Sequence, residues 1–344
     1  TRPNPRVGCL IVRDGVPVGR GFHHHAGGPH AEVMALGEAG AAARGASAYV
    51  TLEPCNHHGR TPPCVDALIA AAVARVVYAA EDPNPLVAGQ GAARLRAAGV
   101  EVSCGALAAP ARELNRGFFS RLERGRPFVT LKTGMSLDGK IALANGQSQW
   151  ITSAAARADV QRMRARSCAV MTGIGTALAD DPALTVRDPR YDLGGTPPWR
   201  VVLDAALRLP PQARFFDDPA PVLVLTASVD AGRRAALAAA GANVDVVPAA
   251  AAGLDLHAVL RRLGALAIND LLGECGPLLA GALLAAGLVD ELVCHVAPKL
   301  LGAGARSAYA LTELTSLTDC PALEIVEVGR IGPDLRLIAR PVAA

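Results

Sequence analysis

The chain has 344 residues, more than a single hydrophobic core usually organises, so two domains are expected. Hydrophobic residues make up 51% of it, which predicts a well-buried globular protein, and the net charge of only +3, without a dense basic block, argues against binding to duplex nucleic acid. No apolar stretch reaches membrane-spanning length without a glycine or a charge, and eight cysteines are too few for a disulfide scaffold, so we expect a soluble protein of the reducing cytoplasm.

The first part of the chain alternates predicted strands with predicted helices. Short apolar segments typical of strands occupy residues 7–12, 48–52, 76–79 and 100–102. Between and after them lie helix-like stretches, including one over residues 91–99 and one that ends near Phe118 and Phe119. This alternation predicts a layered α/β domain.

The most informative motif of this region combines one histidine, one glutamate and two cysteines. One imidazole and two thiolates can hold zinc and leave the fourth coordination position to a water molecule, whose pKa then falls to ~7. Hydrolytic deaminases use this ligand set together with a separate glutamate that moves protons. We therefore predict a zinc site formed by His30, Cys55 and Cys64, with Glu32 as the catalytic proton shuttle.

The local structure around these residues can also be predicted. Side chains two residues apart diverge within a helix, so His30 and Glu32 can share a site only where a helix begins. Pro62 and Pro63 directly precede Cys64, which places its sulfur at the N-terminus of a second helix, where the helix dipole favours a thiolate.

The spacing of the cysteines leaves alternatives open. Eight residues separate Cys55 from Cys64, so the pair departs from the short C-x-x-C signature of deaminases. The polar and basic insert between the two cysteines is interpreted as a loop that recognises a bulky or anionic substrate. The alternatives are a closed structural zinc site with a fourth ligand such as His57, and metal-free cysteines that pack in the core.

A polar segment with three arginines, residues 121–127, is interpreted as a connector, which gives predicted domains of residues 1–124 and 125–344. Predicted strands of the second domain occupy residues 128–132, 169–172, 200–203, 222–226, 267–272 and 291–297. Two glycine-containing turns, residues 172–176 and 273–277, each join a strand to a helix. Each turn is either an ordinary connection between a strand and a helix or a place where backbone amides bind a phosphate.

Several motifs, in this order along the chain, resemble the bifunctional deaminase/reductase family of riboflavin biosynthesis. They are residues 3–5, 29–32, 52–55, 59–64 and 82–85, followed by residues 132–140, 148–153, 178–182 and 298–302. The resemblance covers nearly the whole chain and implies an α/β protein with an N-terminal cytidine-deaminase-like three-layer domain and a C-terminal dihydrofolate-reductase-like domain. It implies zinc-dependent deamination of 2,5-diamino-6-(5-phosphoribosylamino)pyrimidin-4(3H)-one, then NADPH-dependent reduction of the ribosyl side chain of 5-amino-6-(5-phosphoribosylamino)uracil to ribityl.

The resemblance also implies the ligand contacts of the reductase domain. Contacts to NADPH are implied for Gly134, Trp150, Thr176, Asp180, Gly276, Pro277, Leu278, Leu279, Ala280, Gly281 and Ala282. Contacts to the substrate are implied for Ser148, Arg164, Leu184, Arg187 and Glu274. Arg164 and Arg187 suit a ribose phosphate because guanidinium groups bind the dianion bidentately, whereas the alternative is a solvated helix face and a loop salt bridge. Lys132 and Asp138 are implied to orient the sugar or supply a proton.

In the deaminase domain the resemblance implies six further substrate contacts, with side chains suited to the pyrimidine edge and the sugar phosphate. They are Asn4, His23, His57, Arg60, Asp82 and Asn84. His24 and His25 are instead predicted to lie in an exposed loop, and His295 is predicted to be structural.

The chain departs from the family pattern at two points. It reaches the Pro-Asn-Pro motif almost at once after Thr1, where the family has a helix, and the absence of that helix would remove a packing layer from the deaminase domain. Ala205 follows Asp204 where the family has serine, so one cofactor hydrogen bond worth ~1 kcal/mol is expected to be missing.

The expected partners are phosphorylated pyrimidines and further copies of the chain in a homo-oligomer, without nucleic acid or membrane. Two other functions remain to be distinguished. A nucleic-acid deaminase of the tRNA-editing class would share the zinc site but would present a basic and aromatic surface, and aromatic residues make up only 3% of this chain. A noncatalytic ligand-binding protein with a relic metal site would have no need of Glu32.

Overall fold

The computed structural model describes residues 1–58, 61–85, 87–311 and 313–342, which form two compact units, Thr1–Gly125 and Arg126–Ala344. Among these residues, no helix combines the length and the apolar character that crossing a lipid bilayer requires.

The first unit is built on a five-stranded mixed sheet with the strand order β2-β1-β3-β4-β5. Its elements are β1 (Gly8–Arg13), β2 (Val16–Phe22), α1 (Ala31–Ala39), β3 (Ser47–Val50), α2 (Cys64–Ala70), β4 (Arg75–Tyr78), α3 (Gln90–Ala97), β5 (Glu101–Cys104), α4 (Ala108–Leu114) and α5 (Arg116–Arg124). Strand β1 is antiparallel to β2 and β3, whereas β3, β4 and β5 run parallel. The predicted α/β alternation of this region is confirmed.

Helix α1 lies directly on strand β2 because both surfaces carry very small residues. Ala31, Ala35 and Ala39 are spaced by one helical turn and are buried. A Cβ atom on Gly21 would overlap the carbonyl oxygen of Ala31, and one on Gly19 would overlap that of Ala35. The glycines of β2 therefore allow the close approach that fixes where helix α1 begins.

The core of the first unit lies between one face of the sheet and helices α1, α2 and α3. It includes Ile11 from β1, Leu68 from α2 and Leu95 from α3. On the opposite face, Leu10 and Tyr49 pair across β1 and β3, and both side chains are exposed. Within the described part of the chain, this second face is therefore only partly covered.

The second unit is built on a nine-stranded sheet with the order β11-β10-β9-β8-β14-β6-β15-β18-β17. Its strands are β6 (Phe128–Ser136), β7 (Lys140–Ala142), β8 (Ala169–Gly173), β9 (Trp199–Leu203), β10 (Val222–Thr226), β11 (Ala242–Val246), β12 (Ala249–Ala250), β13 (Gly253–Leu254), β14 (Asp270–Gly273), β15 (Glu291–Ala297), β16 (Arg306–Ser307), β17 (Leu323–Ile331) and β18 (Asp334–Pro341). Its helices are α6 (Ala154–Arg166), α7 (Ile174–Asp180), α8 (Ala231–Ala239), α9 (Leu256–Ala265) and α10 (Pro277–Ala285).

Seven neighbouring strands of this sheet are parallel, from β11 at one edge to β15. The C-terminal hairpin β17–β18 continues the sheet beyond β15, and β18 pairs with β15 in antiparallel fashion. The inner strands are covered on both faces, so β10 and β15 are buried along their whole length. The order reverses beside β14, which lies between β8 and β6, and ligands of open α/β sheets bind at such reversals.

The structure corrects two predicted elements and adds others. Residues 121–124 are not a connector, because α5 continues to Arg124 and ends at Gly125 with a φ of 68°. The strand predicted from residue 267 begins only at Asp270, since Ala267 has a φ of 59° in the turn after α9. Strand β2 and the hairpin β17–β18 were not predicted from the sequence.

Candidate metal centre and cofactor cleft

Three side chains of the first unit converge on one point. The ligand atoms of His30, Cys55 and Cys64 all lie within 4.8 Å of one another. The Nδ1 atom of His30 is 3.0 Å from the Cys64 sulfur and 3.5 Å from the Cys55 sulfur. One imidazole nitrogen and two sulfurs form a donor set that suits zinc and leaves a coordination position open.

The local backbone explains the convergence. His30 caps helix α1 in an extended conformation and Glu32 lies in the first helical turn, as the two-residue spacing predicts. Cys64 is the first residue of α2, directly after Pro63, which confirms its predicted place at a helix N-terminus. The Cys64 amide donates a hydrogen bond to the Cys55 sulfur over 3.3 Å.

The two cysteines differ in acidity. A hydrogen bond from the Cys64 thiol, the neighbouring His30 ring and the Cys64 amide lower the pKa of Cys55 to about 4, against the opposing effect of burial. The hydrogen bond to Cys55, together with burial, raises the pKa of Cys64. Cys55 is therefore ready to bind a cation as a thiolate at neutral pH.

Glu32 lies beside this group without belonging to it. Its side chain is only 3% exposed, and burial raises its pKa to about 7. A carboxyl group with that pKa can take up and release a proton near neutral pH, which a general acid–base residue must do.

A cavity of about 360 Å³ opens onto His30, Cys55 and Glu32. Five of the six predicted substrate contacts line it, namely Asn4, His23, His57, Asp82 and Asn84, and the sixth, Arg60, lies outside the described residues. The cavity has room for a small organic substrate rather than for a folded partner.

The polar residues of the cavity hold one another in place. The Nε2 atom of His23 is 3.1 Å from the Asn4 amide, and its Nδ1 atom is 3.1 Å from the Pro29 carbonyl oxygen. Burial lowers the pKa of His23, so the ring is neutral and can donate to Pro29 while it accepts from Asn4. Burial raises the pKa of Asp82 to about 6, and the backbone amide of Asn84 donates a hydrogen bond to the Asp82 carboxylate over 2.8 Å.

Sequence reasoning missed several residues of this site. Thr61 and Arg121 line the cavity, and the Thr61 hydroxyl is 3.2 Å from Nε2 of His30. Glu53 accepts hydrogen bonds from the amides of Gly89 and Ala92, which ties the segment before Cys55 to the start of α3. Glu53 belongs to the motif Leu52–Glu53–Pro54–Cys55, which is the sequence feature that could have identified it. The predicted fourth ligand of a closed zinc site, His57, is not part of the cluster within the described chain.

In the second unit, several predicted NADPH contacts meet at the carboxyl ends of neighbouring parallel strands. Gly134 lies near the end of β6, Gly276 caps α10 after β14, and Thr176 lies in the first turn of α7 after β8. A Cβ atom on Gly276 would lie 3.1 Å from the Thr176 hydroxyl, so the two turns approach closely. Such an edge leaves room for a phosphate-bearing cofactor.

The remaining NADPH predictions divide by location. Pro277, Leu278, Leu279 and Ala282 lie in the first two turns of α10, Leu278 exposed, whereas Ala280 is buried in the core and Gly281 packs against the Ala310 carbonyl oxygen. Contact of Ala280 and Gly281 with the cofactor stays a prediction, and α10 directs the Ala280 side chain towards the protein core. Asp180 is exposed at the end of α7.

Trp150 presents its indole ring to solvent and is held at its backbone. The ring is 62% exposed, with the Arg157 guanidinium 4.4 Å from its centre. Lys299 donates a hydrogen bond to the Trp150 carbonyl oxygen over 2.8 Å. Ser148 is half-buried in the same segment.

Arg164 and Glu274 form a bidentate ion pair. The guanidinium donates to the two carboxylate oxygens over 2.6 and 2.9 Å, and its third nitrogen donates to the Thr185 carbonyl oxygen over 2.9 Å. In the structure the Arg164 guanidinium is directed at Glu274, and its contact with the substrate phosphate stays a prediction. Arg187 is exposed near this pair, and its amide donates to Gln161.

The surroundings of two further predicted residues are also defined. The Leu184 side chain is buried among core residues, and contact of Leu184 with the substrate stays a prediction. The Asp138 carboxylate accepts hydrogen bonds from the Ser136 hydroxyl and from the amides of Leu301 and Gly302, which lower its pKa to about 2. It is therefore not a proton donor at neutral pH. Burial lowers the pKa of Lys132, in contrast, which makes its ammonium group a stronger acid.

Comparison with known proteins gives matches over both units. The model of the RibD C-terminal domain matches residues 127–337, and the model of the cytidine and deoxycytidylate deaminase zinc-binding region matches residues 1–80. The riboflavin biosynthesis protein RibD of Escherichia coli is 49% identical over 98% of this chain and 93% of its own length. The RibD of Haemophilus influenzae is 43% identical over 99% and 92%.

Solved structures agree with these matches. Acinetobacter baumannii RibD superposes with a TM-score of 0.93 at 44% identity, covering 100% of this chain and 94% of that one. A deaminase/reductase from Thermotoga maritima, described as a diaminohydroxyphosphoribosylaminopyrimidine deaminase and 5-amino-6-(5-phosphoribosylamino)uracil reductase, superposes with a TM-score of 0.85 at 34% identity, covering 99% and 93%.

Proposed function

The chain belongs to the RibD family of riboflavin biosynthesis proteins, and from this premise we propose which of its residues carry out the two reactions of a bifunctional deaminase and reductase. The first unit is the zinc-dependent deaminase and the second is the NADPH-dependent reductase. The single observation that carries the assignment of residues is the convergence of His30, Cys55 and Cys64 at a cavity that also contains Glu32.

We propose that His30, Cys55 and Cys64 hold the zinc ion and that Glu32 moves the protons of deamination. Zinc bound by such a set supplies an acidified water at neutral pH. Glu32 would take the two protons of the attacking water in turn and deliver one to the ring nitrogen and the other to the departing amine, so that ammonia leaves and an oxygen takes its place. Its pKa of about 7 suits both directions of transfer.

The substrate of this step is 2,5-diamino-6-(5-phosphoribosylamino)pyrimidin-4(3H)-one. Asn4, His57, Asp82 and Asn84 offer the amide, imidazole and carboxyl groups that read the edge of the pyrimidine and the sugar. The Nδ1 atom of His57 is buried without a partner in the described chain, which leaves it available to a substrate. Arg60 stays a proposed contact on the strength of the motif alone.

In the second unit we propose that the cofactor lies across the turns at Gly134, Thr176 and Gly276. NADPH supplies a hydride to the sugar carbon. Lys132 is the proposed proton donor, because its ammonium nitrogen is 3.5 Å from the place that a Cβ on Gly134 would take and its pKa is lowered by burial. Glu274 orients the sugar while Arg164 fixes the Glu274 carboxylate, and Arg187 holds the phosphate.

We further propose contacts with the cofactor for Trp150, Asp180, Pro277, Leu278, Leu279, Ala280, Gly281 and Ala282, and contacts with the substrate for Ser148 and Leu184.

We also propose that the protein is a homo-oligomer whose subunits meet at β17. Ile325 and Val328 are 64% and 59% exposed on this edge strand, on the sheet face where Leu337 packs against the core. An edge strand with exposed aliphatic side chains is a surface that a second copy can cover. The reducing cytoplasm is the proposed location, since Cys55 and Cys64 must be thiolates to bind zinc, and all eight cysteines are free.

A coupled assay with purified protein tests these assignments. Ammonia release and NADPH oxidation are followed for the wild type, Glu32→Gln and Arg187→Ala. Glu32→Gln is expected to reduce ammonia release by roughly 10²–10⁴-fold while it retains zinc and still reduces the pre-deaminated nucleotide. Arg187→Ala is expected to leave ammonia release intact and to raise the KM of reduction roughly 10- to 100-fold, the cost of one charged hydrogen bond. Loss of both activities in either variant with an intact fold would refute separate sites.

A further inference from the structure

We propose that Thr61 is a positioning residue of the metal centre: its hydroxyl accepts the Nε2 hydrogen of His30 and thereby keeps Nδ1 directed at Cys55 and Cys64. The inference deepens the proposed function and rests on the assignment of His30 as a zinc ligand. It adds a residue of the cavity lining that is not one of the three proposed metal ligands but fixes how one of them is presented.

The contacts of the His30 ring separate its two nitrogens. Nδ1 faces the two sulfurs at 3.0 and 3.5 Å, and Nε2 lies 3.2 Å from the Thr61 hydroxyl. Among the described residues, Thr61 is the hydrogen-bonding partner of Nε2. The ring is thus oriented from both ends, with the metal side and the hydroxyl side on opposite nitrogens.

The chemistry requires this division of roles. A neutral imidazole carries one N–H, and the nitrogen that binds a metal must be the one without it. A hydroxyl oxygen that accepts from Nε2 stabilises the tautomer whose free lone pair is on Nδ1. Metal-binding histidines depend on such a partner, and its removal typically lowers metal affinity by about 10- to 100-fold.

The backbone holds the Thr61 hydroxyl in place. Thr61 precedes Pro62, and a residue before proline is restricted to extended conformations. Pro63 then caps α2, whose first residue is the ligand Cys64. The hydroxyl that orients His30 and the sulfur of Cys64 therefore belong to one restrained segment, so that two ligands are positioned together.

A second contact limits the ring from its other side. The rings of His23 and His30 pack edge to face, with centroids 5.3 Å apart and planes at 82°. His23 is fixed in turn by Asn4 and the Pro29 carbonyl oxygen. Packing against His23 restricts the tilt of the His30 ring, whereas the contact of Nε2 with the Thr61 hydroxyl bears on which nitrogen carries the hydrogen.

The experiment compares zinc affinity in the purified full-length protein, measured by competition with a chromogenic chelator at fixed pH. Thr61→Val keeps the shape of the side chain without the hydroxyl, and Thr61→Ser keeps the hydroxyl. Thr51→Val is the matched control, because the Thr51 hydroxyl accepts from the Gly8 amide in the same unit and is not part of the cavity lining. The absorption spectrum of the cobalt-substituted protein is recorded for each variant.

Thr61→Val is expected to lose about 10- to 100-fold in zinc affinity and to change the cobalt spectrum, whereas Thr61→Ser and Thr51→Val stay within about threefold of the wild type. Equal affinities and identical spectra for Thr61→Val and wild type would overturn the role of Thr61. If Thr61→Val does not fold, a wild-type affinity of Thr61→Ala would overturn it in the same way. Failure of the wild type itself to bind zinc would refute the proposed metal ligands instead, so the two failures are distinguishable.

Discussion

Two acidic groups at the deaminase cavity are shifted in opposite directions because their surroundings differ. Burial raises the pKa of Glu32 to about 7, whereas hydrogen bonds from Cys64 and His30 outweigh burial and lower the pKa of Cys55 to about 4. One small site therefore offers a thiolate for a metal and a carboxyl group that exchanges protons at neutral pH.

In the second unit, Asp159 makes stability depend on pH. Although burial by itself raises its pKa, the hydrogen bond from His295 and the guanidinium groups of Arg162 and Arg336 hold it below the usual value. A carboxyl group with a lowered pKa stabilises the fold above its unfolded pKa of about 4, and this contribution is lost as the pH falls towards the folded value. His295 is thus structural, as its apolar surroundings predict.

Asp159→Asn is therefore expected to lower the free energy of unfolding at pH 7 by about 1–3 kcal/mol, because buried partners lose their acceptor. The loss of stability between pH 5 and 3 should be shallower in the variant than in the wild type. Tryptophan fluorescence reports on the second unit, since Trp150 and Trp199 both lie there. The exposed Asp217→Asn is the control. Parallel pH profiles for wild type and Asp159→Asn would contradict this role.

At the residue scale, the sequence was most informative where the partners are close along the chain or share a motif. His30, Glu32, Cys55 and Cys64 could be predicted because the chemistry demands those types together. The pairing of Arg164 with Glu274, 110 positions away, could not be predicted, since no local pattern records which side chains meet across a fold. The same reason explains why Arg121, assigned to a connector, was missed as a cavity residue.

At the element scale, the contact between β2 and α1 sets the position of the catalytic residues. Helix α1 begins directly after His30 and carries Glu32 in its first turn, and its buried alanines rest on the glycines of β2. A displacement of this helix would move a metal ligand and the proton shuttle together. The distance between one strand and one helix therefore controls the geometry of the deaminase site.

Gly21→Ala is expected to destabilise the first unit by about 1–3 kcal/mol and to reduce ammonia release, because the new methyl group overlaps the Ala31 carbonyl oxygen. Hydrogen–deuterium exchange of peptides from residues 31–39 should become faster. Gly37→Ala, on the exposed face of the same helix, is the matched control: no atom lies within 4 Å of the new methyl group, and α1 should gain about 0.5–1 kcal/mol. Unchanged exchange in Gly21→Ala would contradict this prediction, because it would show that the contact between β2 and α1 accommodates the added methyl group.

The predicted strands were correct where apolar residues dominate a short segment, as in β10 and β15. Strand β2 escaped prediction because Val16–Phe22 contains one proline and two glycines, which in a local reading indicate a turn. The polar end of α5 was mistaken for a linker because its arginines and glutamate gave no apolar period. Helix α5 is anchored by Phe118 and Phe119, which are buried in a cluster with Leu52. These residues are far apart in the sequence, so a local pattern does not show that they pack together.

At the scale of the whole molecule, each unit contains its own site. All described residues that line the deaminase cavity belong to Thr1–Gly125, and the proposed cofactor turns belong to Arg126–Ala344. The two chemistries can therefore be removed one at a time. The overall two-domain division followed from length and motif order. The C-terminal hairpin was not predicted, and its two strands differ: β17 is exposed along most of its length, whereas β18 is partly buried.

Replacement of Val328 on β17 by aspartate is expected to weaken self-association, because a charge would be buried if a second copy covers this strand. Sedimentation velocity of wild type and Val328→Asp at equal concentration measures the effect, and the variant should sediment as a smaller species. Val229→Asp, at a still more exposed valine before α8, is the control for the added charge and should behave as wild type. If the wild-type protein is monomeric at all concentrations tested, the proposed interface at β17 is wrong.

The most direct measurement of the central claim is the metal dependence of deamination. Purified wild-type protein is assayed for zinc content and for ammonia release from the diaminopyrimidine nucleotide, before chelation, after chelation and after zinc is returned. We expect one zinc ion per chain, loss of ammonia release on chelation and recovery on addition of zinc, while NADPH oxidation with the deaminated nucleotide continues throughout. Undiminished ammonia release from the metal-free protein would contradict it.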